Sequence, residues 1–250
     1  MKELLTFGLS FVLVVSLQAQ STYLSNLYFG VNASGNISTV FPEHNYGSTD
    51  YYDHQLTIGY STGITIGATI NDLHSFQLDI NYIQQGQNFQ DVNLSNQSVF
   101  KKKIDLKYIK APLTYKYTRY LDAYNSSSPS VYFEVGVYFA QLQNGSVTYT
   151  WADSTVSFTE ATSSGNTRSI VEPTEDKDLF SPYDGGLVLG LGIEIPLAND
   201  LSLTIASRSE IGFTDLNGIN YRFPSEVKGY RPSQNIITGI RVGLVCNLYM

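Results

Sequence analysis

The string GYSTG at residues 59–63 has the G-x-S-x-G pattern that carries the nucleophilic serine of many hydrolases. That chemistry needs a sharp turn from strand to helix, which exposes the serine hydroxyl beside a histidine. Here the string lies inside an uninterrupted alternation of apolar and polar residues, which predicts a continuing strand. The string SEVK at residues 225–228 matches S-x-x-K without its companion motifs. We therefore predict no catalytic serine.

The histidines are the second candidates for chemistry. His44 and His54 lie in a polar segment with Asp50 and Asp53, where an aspartate–histidine pair could activate water or bind a metal ion. The chain has no H-E-x-x-H, no paired cysteines, no P-loop and no dinucleotide fingerprint. A solvated loop is the simpler interpretation. We expect no catalytic residue, metal or cofactor, and a hydrolase with its site at the loop rim is the alternative.

Ten charged residues share the polar side of the predicted strands. In a narrow lumen such charges must pair, because an unpaired buried charge costs several kcal/mol. Both signs are present in similar numbers, which favours a structural network of ion pairs over a path for ions or protons. The predicted network consists of Asp79, Asp105, Lys107, Lys110, Lys116, Glu134, Glu194, Arg208, Glu210 and Arg241.

Residues 55–70 predict the strand around which the chain is organised. Even positions from Leu56 to Ile70 are apolar except for Thr62, and the odd positions are Gly, Ser, Thr or Gln. This period of two is typical of a strand with one apolar and one polar face. Soluble strands average roughly 5–6 residues, whereas a strand that crosses a membrane needs about 9–11. The length therefore favours a membrane barrel.

The same alternation predicts eight strands, near residues 26–37, 55–70, 74–89, 104–117, 130–144, 186–195, 201–213 and 236–248. Asn71 and Asp72 predict a tight turn, and residues 147–158 are expected to extend the neighbouring strands as a hairpin. Long and short connections alternate, as in bacterial outer-membrane barrels. We predict an all-β fold, an eight-stranded antiparallel up-and-down transmembrane β-barrel.

The fourth predicted strand changes phase. Ile104, Leu106 and Tyr108 share one face, but the apolar set then moves to Ile109 and the odd positions after it. A slip of one residue is what a β-bulge produces, and the nearby Pro112 is tolerated at such irregularities. We expect a bulge here, with both apolar sets facing outward.

The direction of the apolar face separates a membrane barrel from a lipocalin-like carrier, which has the same strand number and an apolar interior. Only 15% of the residues are charged, against about 25% in ordinary globular proteins. We therefore expect the apolar face to point outward. Aromatic residues near strand ends, such as Tyr82, Tyr108, Phe139 and Phe180, are expected to form interfacial girdles. The soluble carrier is the alternative.

Residues 1–19 resemble an export signal, with Lys2, an apolar run and a closing Ala19. We predict a signal peptide at 1–19 and a barrel domain at 20–250.

The net charge of −7 and the lack of long basic runs exclude a nucleic-acid partner. The three consecutive lysines at 101–103 are expected to form a solvated strand end. Cys246 is the only cysteine of the sequence, so it has no partner for a disulfide within the chain.

Three motifs carry a family resemblance: YIKAPL at 108–113, residues 132–136, and DGG at 184–186 leading to GLGIE at 190–194. Together they resemble the PorT-type outer-membrane β-barrel family of Bacteroidota, over essentially the whole mature chain. The resemblance implies a barrel in the outer membrane without a shared catalytic signature. Some relatives take part in protein secretion across that membrane.

We therefore expect a non-enzymatic integral protein of the cell outer membrane, acting in structure or protein interaction as an accessory to secretion or envelope assembly. The expected partners are outer-membrane lipid and lipopolysaccharide, together with envelope or secretion proteins that contact the long loops. The loop-rim hydrolase and the lipocalin-like carrier are the competing hypotheses.

Overall fold

The computed structural model describes residues 24–41, 53–92, 99–122, 128–151, 154–161, 180–218 and 232–249. These residues form ten strands: β1 (Leu24–Phe41), β2 (Asp53–Gln55), β3 (Thr57–Ile70), β4 (His74–Val92), β5 (Val99–Tyr120), β6 (Ser130–Trp151), β7 (Ser154–Ala161), β8 (Tyr183–Pro196), β9 (Leu201–Gly212) and β10 (Gln234–Tyr249). No helix among the described residues has the length and hydrophobicity to cross a membrane. The predicted signal peptide, 1–19, lies outside the described residues.

Eight of these strands close into a ring in which every neighbouring pair is antiparallel. The order around the ring is β1, β3, β4, β5, β6, β8, β9 and β10, and β10 pairs again with β1. Closure satisfies the backbone of every ring strand from both sides, which leaves no sheet edge in the wall. The predicted eight-stranded up-and-down barrel is confirmed.

The two ends of the barrel differ. At one end, which we call the turn end, residues 71–73 and 197–200 join neighbouring strands, and the end of β5 lies beside the start of β6, since Tyr120 pairs with Ser130. Asn71 and Asp72 have φ of 52° and 58°, a left-handed conformation that Asn and Asp tolerate better than most residues. The start of β1 and the end of β10 also lie here, since Asn26 pairs with Tyr249. We call the other end the loop end.

The apolar face of the strands points outward. Phe29 and Val31 on β1 are 51% and 58% exposed, while the next residue, Asn32, is buried. The same alternation of exposure holds on β8 and β9, where the outward residues are apolar except for Gly185, Ser207 and Ser209, and the buried residues are polar or small except for Val188. The interior of the middle of the barrel is therefore polar. The lipocalin-like hypothesis is wrong, because its interior would be apolar.

The phase slip expected in the fourth strand is absent from β5. The inward face of β5 contains the even residues from Lys102 to Thr118 without interruption. Ile104, Leu106 and Tyr108 consequently lie inside the barrel and not on its outer face. A bulge does exist at this level, but the extra residue is Gln143 on β6, since Lys107 pairs with Asn144 and Tyr108 with Leu142.

Apolar side chains fill the interior toward the loop end, and we call this cluster the apolar plug. Phe180 and Tyr108, which we expected in the outer girdles, are both buried inside it. The segment around Leu216 covers it: the Ser181 amide donates to Leu216, whose own amide donates to Ser233, each at 2.8 Å. The apolar plug consists of Val40, Ile83, Phe89, Ile104, Leu106, Tyr108, Tyr138, Ala140, Leu142, Val147, Phe180, Val188, Leu216 and Ile237.

Several strands continue beyond the ring at the loop end. β6 runs to Trp151 and turns back as β7, with Trp151 paired to Ser154, which confirms the predicted hairpin. β2 pairs with the far end of β4, where Gln55 lies opposite Asn88. We call this part of the sheet the strand extension. It consists of β2, residues 84–92 of β4, residues 99–107 of β5, residues 144–151 of β6, and β7.

Candidate functional site

A carboxylate at the centre of the lumen binds two arginines. Asp79, on the inner face of β4, has no exposed surface. Arg208 Nη1 lies 2.9 Å from its Oδ2, and Arg241 Nη2 lies 2.6 Å from its Oδ1. Thr65 donates a further hydrogen bond to Oδ1 at 2.7 Å. The carboxylate therefore exchanges water for charged and neutral donors from three other strands.

Arg208 binds a second carboxylate with the rest of its guanidinium. Its Nε and Nη2 donate to the two oxygens of Glu134 at 2.7 and 2.9 Å. This bidentate geometry matches the planar fork of arginine and gives strong charge-assisted hydrogen bonds. Arg208 thus bridges Glu134 and Asp79, and it links β4, β6 and β9 across the lumen.

Two lysines form separate pairs on either side of this centre. Lys110 Nζ lies 2.6 Å from Glu210 Oε2 and 4.2 Å from the centre of the Tyr138 ring. Toward the turn end, Lys116 Nζ lies 3.0 Å from Glu194 Oε2 and 4.1 Å from the centre of the Tyr132 ring. Each buried ammonium therefore has a carboxylate and an aromatic face as partners, which offsets part of its lost hydration.

The structure places eight of the ten predicted residues in the lumen, and we call them the ion-pair layer. Four are basic and four acidic: Lys110, Lys116, Arg208 and Arg241, with Asp79, Glu134, Glu194 and Glu210. All eight take part in the five ion pairs described here. This equality of charge allows the layer to exist at low dielectric without a net buried charge.

The prediction was wrong for Asp105 and Lys107, which lie on the outer face of β5. Asp105 accepts hydrogen bonds from Gln84 Nε2 at 2.9 and 3.0 Å, and Gln84 is on the outer face of β4. The cause is the unbroken alternation of β5. With Ile104 and Leu106 inside the barrel, the residues between and after them must point outward.

Sequence reasoning missed two charged residues whose buried side chains lie on the inward faces of the described strands. Lys102, taken for part of a solvated strand end, is buried with its Nζ 5.7 Å from the Phe89 ring centre and 5.6 Å from that of Tyr149. Asp184 accepts hydrogen bonds from Tyr138 Oη at 3.0 Å and Asn235 Nδ2 at 3.2 Å. Both residues alternate correctly with their inward neighbours, so strand phase alone could have placed them.

Side chains occupy most of the lumen. A cavity of about 20 Å³ lies beside the ion-pair layer, lined by residues that include Asn81 and Arg241. It has room for about one water molecule. A second cavity of about 470 Å³ lies at the turn end, and Lys116 and Glu194 are among its lining residues. In the part of the chain that the structure describes, the ion-pair layer and the apolar plug together fill the barrel between this second cavity and the loop end.

The predicted catalytic candidates do not form a site among the described residues. Ser61 is buried on the continuous strand β3, with its Oγ 2.7 Å from Ser34 Oγ. His74 is on the outer face at the turn end, beside Tyr115. His44, Asp50 and residues 225–228 lie outside the described residues, and only the backbone of Asp53 and His54 is described. No three His, Cys, Asp or Glu side chains in the described ranges could hold a metal ion.

Solved structures with similarity to the chain include neisserial surface protein A, with a TM-score of 0.44 and 12% identity over 89% of this chain and 97% of that chain. OprG from Pseudomonas aeruginosa has a TM-score of 0.45 and 13% identity over 91% and 98%. Ail of Yersinia pestis has a TM-score of 0.36 and 8% identity over 87% and 97%. Likeness at this level carries no argument about activity, and no curated protein matches the chain.

The outward apolar band, the polar interior and the closed ring are the features of a barrel that crosses the outer membrane. In such barrels the short turns face the periplasm, so the turn end is periplasmic and the loop end extracellular. The family comparison agrees, since residues 18–218 match the outer membrane protein beta-barrel domain. The chain belongs to the family of outer membrane proteins with this beta-barrel domain, and its location is the outer membrane.

Proposed function

We propose that this protein is a closed, non-enzymatic outer-membrane barrel whose strand extension contacts other envelope proteins. The observation that carries the proposal is the height of β5 and β6 above the membrane. The outward apolar residues of β5 end at Ile109, yet the strand begins at Val99, ten residues closer to the loop end. At about 3.4 Å per residue, this places roughly 30 Å of tilted sheet outside the hydrocarbon.

A rigid interior supports the strand extension. Ile104, Leu106 and Val147 lie on the inward faces of β5 and β6 above the ion-pair layer, and all three are buried in the apolar plug. A sheet with a packed inner face keeps its shape outside the membrane, whereas an isolated hairpin is marginally stable in water. The extension therefore suits a fixed contact surface.

The filled lumen supports a role other than transport. Arg208, Glu134 and Asp79 occupy the middle of the barrel with almost no exposed surface. An eight-stranded barrel is only wide enough for side chains to fill it. A passive path for ions or solutes would have to break this ion-pair layer, so we assign the barrel a structural role.

The non-enzymatic part of the proposal has its support in the candidate residues themselves. Ser61 faces the lumen beside Ser34 and is buried, and His74 lies on the outer face of another strand. A serine hydroxyl without an adjacent base is a weak nucleophile. The finer assignment, to the PorT-type barrels and to an accessory role in secretion or envelope assembly, has its support in the motifs at residues 108–113, 132–136 and 184–194.

A photo-reactive amino acid at Thr150, on the outer side of the strand extension opposite Lys101, tests the proposal in intact cells. We expect a discrete adduct with an envelope protein. The matched control is Val137, which is exposed in the apolar band and should give lipid adducts alone. Lipid adducts alone at both positions would contradict the role in protein contact.

Enzymatic activity is tested separately. Purified barrel in detergent should hydrolyse neither lipid esters nor an unfolded protein substrate. Hydrolysis that the wild type performs and the His54→Ala variant has lost would replace our proposal with the loop-rim hydrolase.

A further inference from the structure

The outer face of β5 changes from apolar to basic at a single position. Its outward side chains from Ile109 to Tyr117 are apolar, and they span nine residues, about the length that crosses the hydrocarbon. Toward the extracellular side, the next outward residues are Lys107, Asp105, Lys103 and Lys101. The neighbouring strand changes at the same level, since Tyr82 pairs with Ile109 and the following outward residue, Gln84, pairs with Lys107. The lysines therefore begin at the membrane boundary.

The three lysines have no partners among the described residues. The side chains of Lys101, Lys103 and Lys107 form no hydrogen bond or ion pair with any other described residue. Asp105 lies between Lys103 and Lys107, and each of its two carboxylate oxygens accepts a hydrogen bond from Gln84 Nε2. The outward residues beside them on β4 and β6 are uncharged: Gln84, Asn88, Gln90, Asn144, Ser146, Thr148 and Thr150. The row keeps a local excess of positive charge on a chain whose net charge is −7.

The inward lysines of the same strand provide a contrast. Lys110 and Lys116 pair with Glu210 and Glu194 inside the barrel, so their charges contribute to the fold. Within the ranges that the structure describes, the outward lysines make no such contact. Successive outward residues on a strand lie about 7 Å apart, so the row offers three ammonium groups over about 20 Å, starting where a lipid headgroup begins.

We infer that Lys101, Lys103 and Lys107 bind the phosphate groups of lipopolysaccharide in the extracellular leaflet. The argument is charge complementarity at a defined depth. Lys107 lies at the level of the phosphates next to the acyl chains, while Lys103 and Lys101 lie about 14 and 20 Å farther along the strand, beside the outer part of the headgroup. Basic residues beside a membrane are attracted to an anionic surface. The site goes beyond the proposed contact with proteins and does not depend on it. It predicts an ordered lipid at β5, on one side of the barrel.

The test measures binding of a purified, detergent-solubilised barrel to bisphosphorylated lipid A by native mass spectrometry. Lipid A with both phosphates removed is the comparison ligand. We expect the wild type to bind the phosphorylated lipid about tenfold more tightly or better, and the triple variant K101Q/K103Q/K107Q to lose this preference. R119Q is the matched control, because Arg119 is exposed on the outer face of the same strand at the periplasmic end. It should bind as the wild type does.

Three results would overturn the inference. The first is equal binding of the two lipids by the wild type, and the second is an unchanged preference in the triple variant. The third is an equal loss in R119Q, which would indicate non-specific attraction. Soluble polyglutamate serves as a competitor: if the triple variant loses polyglutamate binding but keeps lipid A binding, the row recognises an acidic protein instead. Migration of unheated and boiled samples on a gel verifies that each variant is folded.

Discussion

Glu134 on β6 and Arg208 on β9 form a bidentate ion pair across an intervening strand. Gly190 of β8 is the register partner of both residues, so the two side chains meet over a position that has none. A Cβ at Gly190 would overlap the Glu134 carboxylate. The absence of a side chain at this one position therefore permits the ion pair at the centre of the lumen.

Gly190→Val should consequently destabilise the barrel by about 3 kcal/mol, because it displaces the buried Glu134 carboxylate from its bidentate partner Arg208. Equilibrium unfolding in urea, with the protein in lipid vesicles, measures the change. The control is Gly185→Ala on the same strand, where an added Cβ meets only the Tyr138 carbonyl oxygen at 3.4 Å and stability should hold. Equal stability of the two variants would show that the Glu134–Arg208 pair does not contribute to the free energy of unfolding.

Arg208→Ala tests the whole ion-pair layer. It leaves Glu134 without its bidentate partner, and among the described residues Arg241 remains as the ion-pair partner of Asp79. Removal of one partner from a buried pair costs about 3 to 5 kcal/mol, so the melting temperature in detergent should fall markedly. Lys107→Ala, which removes a charge from the outer face, is the control and should change it little. An unchanged melting temperature for Arg208→Ala would contradict the structural role of the layer.

The filled lumen predicts that the barrel does not conduct. Wild-type protein inserted into a planar bilayer should give no steady single-channel current, because side chains of the ion-pair layer and the apolar plug occupy the space that an eight-stranded barrel encloses. Heat-modifiable migration of the protein in the lipid vesicles that are fused to the planar bilayer verifies that the barrel is folded and inserted. A reproducible open level in the recordings would mean that the layer or the plug leaves the lumen.

Much of the fold was predictable because a barrel strand repeats every two residues. The outward set of Phe29 and Val31, and the turn at Asn71 and Asp72, follow from this period and from turn chemistry. The pairing of Arg208 with Glu134 does not follow. It depends on which strands are second neighbours in the closed ring and on the missing side chain of Gly190, and neither is visible in the local pattern.

The fourth strand shows a different limit of sequence reasoning. If the whole strand has a single outward apolar face, the pattern of Ile104, Leu106 and Tyr108 indicates a phase slip. The interior has two kinds of surroundings, polar at the ion-pair layer and apolar at the plug. A strand that crosses both changes the chemistry of its inner face without any change of phase, and the sequence pattern of that change is the same as that of a bulge.

The bulge at Gln143 predicts a specific response to deletion. Removing this residue makes Leu142 and Asn144 consecutive, so the pairs Tyr108–Leu142 and Lys107–Asn144 stay in register and Val147 stays in the apolar plug. The deletion should therefore change the free energy of unfolding by no more than about 1 kcal/mol, measured by urea unfolding in vesicles. Deletion of Ser146, which has a one-to-one partner in Asp105, is the comparison: it turns Val147 to the outside and should cost about 2 kcal/mol. Equal effects of the two deletions would argue against the bulge.

Amine labelling tests the unbroken alternation of β5 directly. In folded protein purified in detergent without lipopolysaccharide, the exposed Lys101 and Lys103 should react with a water-soluble acylating reagent about tenfold faster than Lys102, because a buried amine reacts only after local opening. Lys102 is 3% exposed and its Nζ lies near the Phe89 and Tyr149 rings. Peptide mass spectrometry gives the rate at each site, and unfolding in urea should make the three rates equal. A solvated strand end would instead give three equal rates in the folded protein, and the placement of Ile104 and Leu106 inside the barrel would then be wrong as well, since the same alternation positions all of them.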